Sequence, residues 1–216
     1  MQTVSRIETS LRRLPSPRTQ EVRAIRRVIS KELRSASPDY VMRVALELVE
    51  RGRWHERFVA YELILKHPAA LAAVNARTAV ALASTLGDWA GVDTFACYVA
   101  GPAWRERQIA DTVIRQWAVS PDRWWRRAAV VCTVALNNKA RGGRGDARRT
   151  IDICRRVIAD RDDMVVKALS WALRELAKRD PSAARAFMNT HTTKLAPRVR
   201  REVASKLDTG RKQPRR

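Results

Sequence analysis

Cysteine is scarce in this chain of 216 residues, which contains only Cys97, Cys132 and Cys154. Each lies within an apolar helical pattern, no Cys-x-x-Cys pair occurs, and three is an odd number. This usage argues against a disulfide framework and indicates reduced, structural thiols in a reducing compartment. The three histidines are equally few and too dispersed to form a metal site, so neither a metal nor another cofactor is expected.

Long apolar runs and familiar catalytic motifs are also missing. No stretch of about 18 apolar residues occurs, and the first residues lack the apolar core of a signal peptide. We therefore expect a cytoplasmic protein that has no membrane partner. The sequence contains no Gly-x-Ser-x-Gly, and the glycines within 141–145 follow no predicted strand and precede no Gly-Lys-Ser/Thr. Acyl-transfer and nucleotide chemistry are therefore not predicted.

Acidic residues are few relative to basic ones. The chain has 43 Lys and Arg against 22 Asp and Glu, a net charge of +21. Three blocks carry most of the excess: residues 1–35 hold 9 basic and 3 acidic side chains, residues 139–156 hold 7 and 2, and residues 194–216 hold 9 and 2. Such a balance indicates a nucleic acid backbone as the partner. A simpler interpretation is that these blocks are solvated ends and one solvated loop.

Prolines and hydrophobic periodicity both predict short helices. Prolines follow capping residues, as in Ser37-Pro38 and Asp180-Pro181, where the first helical turn accepts proline. Between these points apolar residues recur every three to four positions, and no run alternates with period two. We expect about eleven or twelve helices of roughly 10 to 18 residues, with helix pairs such as 38–66 and 102–137.

A helix pair of roughly 35 to 45 residues is typical of HEAT and armadillo repeats. The predicted fold class is therefore all-α, a HEAT-like helical-repeat solenoid (an α-α superhelix) with a concave basic face. A compact helical bundle is the alternative, because no strict sequence repeat is visible. We expect one domain over residues 1–208, a disordered basic tail at 209–216, and a flexible basic loop at 137–146.

The first candidate site is built around Trp89 and Asp93. Asp88 is suited to cap a helix that starts at Trp89, since its carboxylate can accept the unpaired N–H groups of the first turn. Asp93 then falls inside the helix, one turn beyond Trp89 and on the same face. An aspartate within a helix is a poor helix former and needs a reason. An ion pair with an arginine of a neighbouring helix is one such reason, and catalysis is the other.

Two further clusters combine tryptophan with basic residues. One is Trp125, Arg126 and Arg127, at the start of a helix that Asp122 can cap; the other follows one helical face at Lys167, Trp171, Arg174 and Lys178. Tryptophans at such spacing are more often core residues. Aromatic faces interleaved with Arg and Lys are also what a sugar-phosphate strand requires, so the clusters are candidate DNA contacts.

At these positions the chain resembles the AlkD-like DNA alkylation repair glycosylases, a family of HEAT-like repeats. The similarity rests on Trp-x-x-x-Asp at Trp89 and Asp93, Arg-Ala-Ala at Arg127, Trp-x-Leu-Arg-Glu-x-Ala-Lys from Trp171, and the segment that begins at Lys194. It covers roughly residues 56–207, and the segment 1–35 shows no clear match. The chain also departs from the family pattern, with Asp88 where a second tryptophan is common and Ala90 where an aspartate is usual.

The resemblance implies a DNA glycosylase that releases cationic alkylated purines such as 3-methyladenine and 7-methylguanine without a deep base-flipping pocket. It implies catalytic roles for Asp93, Trp89 and Trp171, and phosphate contact by Arg127. Arg126, Trp125, Lys167 and Arg174 are the further predicted contacts. The predicted partner is the backbone of double-stranded DNA, bound without sequence preference by a monomer that uses no metal.

Two other functions remain open at this point. A non-catalytic helical-repeat protein could bind duplex or branched DNA with a steep salt dependence and release no base. A helical scaffold for an acidic protein is the third possibility, and it would not bind DNA at low salt.

Overall fold

The computed structural model of the chain describes residues 2–213, and within that range it is helical and contains no strand. Two short 3-10 turns and one π-helical turn (Ala96–Ala100) accompany the α-helices. In chain order these are α1 (Gln2–Arg12), α2 (Thr19–Glu32), α3 (Pro38–Glu50), α4 (Trp54–Lys66), α5 (Pro68–Ala72), α6 (Ala76–Leu82), α7 (Trp89–Phe95), α8 (Gly101–Arg105), α9 (Asp111–Ala118), α10 (Arg123–Asn137), α11 (Ala147–Arg156), α12 (Asp163–Ala177), α13 (Pro181–His191) and α14 (Pro197–Thr209).

The helices form two compact units, Met1–Ala103 and Trp104–Arg216. In the first unit α1 packs on α2 and α3 on α4, as paired helices do. The first helices of successive pairs also contact each other, since α3 packs against α1, α5 and α6. The second helices form another layer, in which α4 lies against both α2 and α7.

The second unit repeats this plan more regularly. Its pairs are α9 with α10, α11 with α12 and α13 with α14. One layer contains α9, α11 and α13, and the other contains α10, α12 and α14, each helix packed against the next in its layer. The all-α helical-repeat fold predicted from the sequence is therefore confirmed.

The second helix of each pair recurs at a nearly constant interval along the chain. In the first unit these helices start at Thr19, Trp54 and Trp89, which are 35 residues apart each time. Trp124, the second residue of α10, follows Trp89 by the same 35 residues. A tryptophan thus recurs at the start of three successive second helices, at Trp54, Trp89 and Trp124.

Two predictions about the helices were wrong. The described residues contain fourteen α-helices, some as short as 5 residues, where fewer and longer ones were expected. Segment 102–137 contains most of α8 and all of α9 and α10 and is not a simple pair, because the chain turns at 106–110 and again at 119–122. The pair at 38–66 was correct, since α3 and α4 lie on either side of the turn at 51–53.

Helix starts follow the predicted capping chemistry. The Ser37 hydroxyl accepts a hydrogen bond from the backbone N–H of Tyr40 at 3.2 Å, with Pro38 in the first turn. The Asp180 carboxylate accepts from the N–H of Ala183 at 2.8 Å, also before a proline. Because each cap involves residues within three positions of one another, the sequence was sufficient to predict it.

The loop predicted at 137–146 is held to neighbouring segments by arginine side chains. Arg105 donates to the carbonyl of Arg141 at 2.8 Å, and Arg179 donates to the carbonyls of Asn137, at 2.8 Å, and Gly143. A 3-10 turn forms at Lys139–Arg141. The prediction that the whole of 137–146 is non-helical was therefore wrong at Asn137, the last residue of α10, and at Lys139–Arg141, whereas residues 142–146 form a loop. Of the tail predicted at 209–216, residues 214–216 lie outside the described range.

Buried side chains include the three cysteines, none of which forms a disulfide. Burial raises the pKa of the Cys154 thiol to about 12. A thiol with such a pKa is protonated at neutral pH and behaves as a small apolar side chain. The structure thus agrees with the prediction of structural thiols.

Candidate nucleic-acid interface

Asp88 fixes the start of α7, the short helix that carries Trp89 and Asp93. Its carboxylate accepts a hydrogen bond from the backbone N–H of Gly91 at 2.8 Å, as the sequence predicted. The other carboxylate oxygen accepts from the guanidinium of Arg57, a residue of α4. The cap of α7 is thereby tied to the preceding second helix of the same unit.

Arg57 contacts backbone carbonyls as well as the cap residue Asp88. Its side chain is only 6% exposed, and the guanidinium also donates to the carbonyls of Gly52 and of Thr85, the latter at 3.1 Å. A Cβ at Gly91 would lie 3.3 Å from the Arg57 guanidinium and 3.2 Å from Leu86. Glycine at this position is therefore what lets α7 approach the arginine so closely.

The side chains of Trp89 and Asp93 differ in exposure. Trp89 is 58% exposed, which is unusual for the largest apolar side chain. Asp93 lies one turn later on the helix and is half-buried, whereas Val92 and Phe95 of the same helix are fully buried. This short, capped helix thus places an exposed indole and a half-buried aspartate one turn apart.

The predicted residues of α10 are engaged with other protein groups. The Trp125 ring lies 4.7 Å from that of Trp117. Arg126 forms an ion pair with Asp160 at 2.7 Å, and its guanidinium also donates to the carbonyls of Ser120 and Pro121. Arg127 is buried and donates to the carbonyl of Met164 in α12. Contact with a phosphate by Arg126 or Arg127 would require exchange of these partners.

On α12 the predicted residues lie in different environments. Lys167 pairs with Asp163 at 2.6 Å, and both side chains are well exposed, so the pair is weak and the ammonium is accessible. Trp171 is half-buried. Arg174 is more enclosed, within 3.3 Å of the Ser170 hydroxyl and 3.8 Å of the Glu202 carboxylate. Burial lowers the pKa of Arg174, although Glu202 opposes the shift.

The sequence prediction did not include an aromatic cluster in the first unit. The Trp54 ring stacks on Phe58 at 5.1 Å, and the guanidinium of Arg23 lies 5.3 Å from the centre of the Phe58 ring. Arg23 also donates to the Glu62 carboxylate at 2.8 Å and to the Tyr98 hydroxyl at 3.3 Å. The 35-residue interval could have identified the cluster, because Trp54 and Phe58 occupy the positions that Trp89 and Asp93 occupy one repeat later.

The last second helix, α14, presents arginines to solvent. Arg200 and Arg201 are exposed, and neither has an ion pair or hydrogen-bonded side chain within residues 2–213. The helix packs beside α12 in the same layer as α10. In this layer of the second unit, Lys167 of α12 and the α14 arginines are therefore more accessible than Arg126 and Arg127 of α10.

The sequence-predicted residues consequently divide between the two units. Trp89 and Asp93 lie together on α7 of the first unit. The second unit contains Trp125, Arg126 and Arg127 on α10 and Lys167, Trp171 and Arg174 on α12, two helices that pack directly against each other. Every predicted residue is on the second helix of a pair, so all of them belong to the same kind of layer in their own unit.

Fold and candidate residues define an all-α helical-repeat protein with a strong basic excess and a capped Trp-x-x-x-Asp helix. A sequence model of the family described as "DNA alkylation repair enzyme" matches residues 16–207, and the chain belongs to this family. The match begins at residue 16, so it extends into the segment 1–35, where the sequence had shown no clear resemblance. Comparison with curated proteins and with solved structures gave no significant match.

Neither a metal-binding group nor a membrane-spanning helix occurs in the part of the chain that the structure describes. Residues 2–213 contain no group of three or more His, Cys, Asp or Glu side chains placed to hold a metal ion. Across the same residues, no helix combines the length and the apolar character needed to cross a bilayer.

Proposed function

We propose that this protein is a DNA glycosylase that hydrolyses the N-glycosidic bond of cationic alkylated purines, of the 3-methyladenine and 7-methylguanine type. The observation that carries the proposal is α7, a capped helix that carries an exposed indole at Trp89 and a half-buried aspartate, Asp93, one turn later. Membership of the DNA alkylation repair family supports this assignment.

The proposed hydrolysis depends mainly on a carboxylate. An alkylated purine already carries a positive charge, so it can leave without an acid catalyst, and charge then develops on the deoxyribose. The carboxylate of Asp93 stabilises this oxocarbenium-like sugar and orients the water that attacks it, as carboxylates do in glycoside hydrolysis generally. No metal is needed for this step.

Aromatic faces supply the second part of the proposed site. Trp89 places its π face against the sugar, where cation–π attraction grows as positive charge develops in the transition state. Because the attraction is stronger in the transition state than in the ground state, this ring increases the rate and does not merely strengthen binding. Trp171, in the second unit, is a proposed aromatic contact for the strand.

The basic excess holds the duplex by its phosphates. Lys167 and the exposed Arg200 and Arg201 are cations of the second unit that reach solvent readily. Three further arginines contact phosphates after exchange of their present partners, or shape the surface on which the duplex lies: Arg126, Arg127 and Arg174. Such contacts are independent of sequence and weaken steeply with salt.

The test is base release from methylated duplex DNA, measured by mass spectrometry of free 3-methyladenine and 7-methylguanine against a protein-free control. We expect Asp93→Asn to lower the single-turnover rate by about 10²- to 10³-fold with little change in DNA affinity. Asp39→Asn removes an exposed carboxylate from α3 and is the matched control, with an unchanged rate. Equal rates for wild type and Asp93→Asn would refute the catalytic assignment.

The same assay separates the alternative function. A non-catalytic repeat protein would bind duplex or branched DNA with a steep salt dependence yet leave the methylated bases in place. Ala90, where the family commonly has a second aspartate on this helix, is the feature that favours this alternative.

A further inference from the structure

A cavity of about 390 Å³ opens in the second unit, at the carboxyl end of α10. Its walls come from the end of α8 and the segment after it, the last turn of α10, the loop that leads into α11, and the first turn of α11. The lining residues are Arg105, Glu106, Arg107, Leu136, Arg144, Gly145, Asp146 and Arg149. The volume lies within the range of small-molecule sites.

The charges around this cavity are unbalanced. Four of the eight lining residues are arginines and two are acidic, so the walls carry a net charge of +2 before any ligand is bound. Arg105 and Arg144 both contact Glu106, and Arg149 pairs with Asp146. These contacts lower the pKa of Glu106 and of Asp146. Both carboxylates are therefore ionised at neutral pH, and the walls still keep the net charge of +2.

Two of the arginines are held in place by hydrogen bonds to other protein groups. The Arg149 side chain is 6% exposed, lies over the Trp104 ring at 4.9 Å, and donates to the carbonyl of Trp104 at 2.7 Å. Arg105 donates to the carbonyls of Ala135 and Arg141. Guanidinium groups held in this way lose little further side-chain entropy when their remaining N–H groups bind an anion.

The other two arginines are exposed and able to close over a ligand. Arg107 and Arg144 are 62% and 72% exposed, and Arg107 lies 3.7 Å from its carboxylate partner Asp111. Arg107 also has a φ of 67°, a left-handed backbone that a non-glycine residue adopts at a cost. Surface ion pairs of this kind are weak and exchange readily for a stronger anion.

We propose that this arginine-lined cavity binds a phosphate group, and that Arg107 and Arg144 clamp it above Arg105 and Arg149. Guanidinium groups match phosphate oxygens by paired N–H donation, which makes arginine clusters better suited to phosphate than to a simple carboxylate. The phosphate belongs either to a free phosphorylated molecule or to the backbone of a nucleic acid strand.

The site is separate from the candidate interface. Leu136 lines the cavity, whereas Trp125 lies eleven residues earlier on α10, which corresponds to roughly 16 Å along the helix axis. A ligand in the cavity therefore does not occupy the positions assigned to Trp125, Arg126 and Arg127. The proposal does not depend on glycosylase activity.

Calorimetric titration with pyrophosphate tests the site. The double variant Arg107→Gln/Arg144→Gln changes only exposed side chains and is not expected to unfold the protein. Its matched control is Arg77→Gln/Arg185→Gln, which removes the same charge from exposed positions outside the cavity. We expect the cavity variant to weaken pyrophosphate binding by about tenfold or more and the control by less than about twofold. Equal weakening in the two variants would overturn the proposal.

A chemical readout locates the binding directly. Phenylglyoxal modifies exposed arginines, and peptide mass spectrometry reports each position separately. We expect pyrophosphate to protect Arg107 and Arg144 and not Arg77. Protection of all three to the same extent would mean diffuse attraction to a basic surface and would refute a built site.

Duplex DNA separates the two sources of phosphate. If the backbone is the source, the cavity variant lowers duplex affinity more than the control does and reduces the slope of log affinity against log salt by about one to two. If a free phosphorylated molecule is the source, duplex affinity falls equally in both variants while pyrophosphate binding disappears only in the cavity variant. Both results support a phosphate site.

Discussion

The guanidinium of Arg57 donates a hydrogen bond to the carboxylate of Asp88, 31 residues further along the chain, and Asp88 in turn caps α7. A buried cation of one repeat thereby fixes the first turn of the next second helix. Trp89 is the residue immediately after the cap, so the position of its backbone depends on this contact.

Replacement of Asp88 tests how strongly the contact holds α7. Asp88→Ala removes the cap and leaves the buried Arg57 without its carboxylate, so we expect the free energy of unfolding to fall by about 2 to 4 kcal/mol. Asp122→Ala is the matched control, because Asp122 also caps a helix but has no buried arginine, and it should cost about 1 kcal/mol. Urea unfolding followed by circular dichroism measures both. Equal costs would mean that Arg57 contributes nothing through Asp88.

Replacement of Trp89 should lower the rate of base release with little change in the stability of the fold. Because its side chain is 58% exposed, Trp89→Ala should change the free energy of unfolding by no more than about 0.5 kcal/mol. The rate of base release should nevertheless fall, since the ring is proposed to contact the sugar. Trp104→Ala is the contrasting variant, because Trp104 is fully buried and its removal should cost about 3 to 5 kcal/mol. Normal activity of the Trp89→Ala variant would remove Trp89 from the site.

The arginines of α14 should determine the salt dependence of DNA binding. Arg200→Gln/Arg201→Gln removes two exposed cations, and the slope of log affinity against log salt falls by about 0.9 for every phosphate that is no longer neutralised. We expect a slope smaller by about one to two in fluorescence anisotropy titrations of a duplex. Arg77→Gln/Arg185→Gln serves as the equal-charge control. The same slope in both variants would show that α14 contacts no phosphate.

Acid should remove the stabilisation that Asp146 provides. Burial acts to raise the pKa of Asp146, but hydrogen bonds from the backbone and side chain of Arg149 outweigh it and the pKa lies below its ordinary value. A carboxyl group whose pKa is lower in the folded protein stabilises fully above the unfolded value of about 3.9. That stabilisation disappears as the pH falls through the folded value. The destabilisation caused by Asp146→Asn should therefore be larger near pH 7 than near pH 3 in urea unfolding; no difference would contradict the shift.

Local features of the fold could be predicted from the sequence. Asp88 was expected to cap a helix starting at Trp89, and Asp122 the helix starting one residue later, and both do so. These contacts depend on residues two or three positions apart, and chain geometry alone brings them together. The all-α repeat followed from the same kind of short-range pattern.

The environment of the basic side chains could not be predicted in this way. Arg126 pairs with Asp160 and Arg127 donates to the carbonyl of Met164, groups 34 and 37 residues away that belong to the next repeat. Helical spacing tells which face a side chain occupies, but not which groups the neighbouring helix presents to that face. The partner of Asp88 could not be predicted for the same reason, because Arg57 lies 31 residues earlier, on the preceding second helix.

The layered arrangement of the helices also has a consequence for how the protein opens. In the second unit α14 packs on α12 and α13, while α10 packs on α9, α11 and α12. Arrays held together by nearest-neighbour contacts open from their ends, because a terminal pair gives up one interface and an internal pair two. Among the described helices of the second unit, the α13–α14 pair packs against the α11–α12 pair on one side, so it can detach while α9–α12 stay folded, and the exposed arginines of α14 move with it.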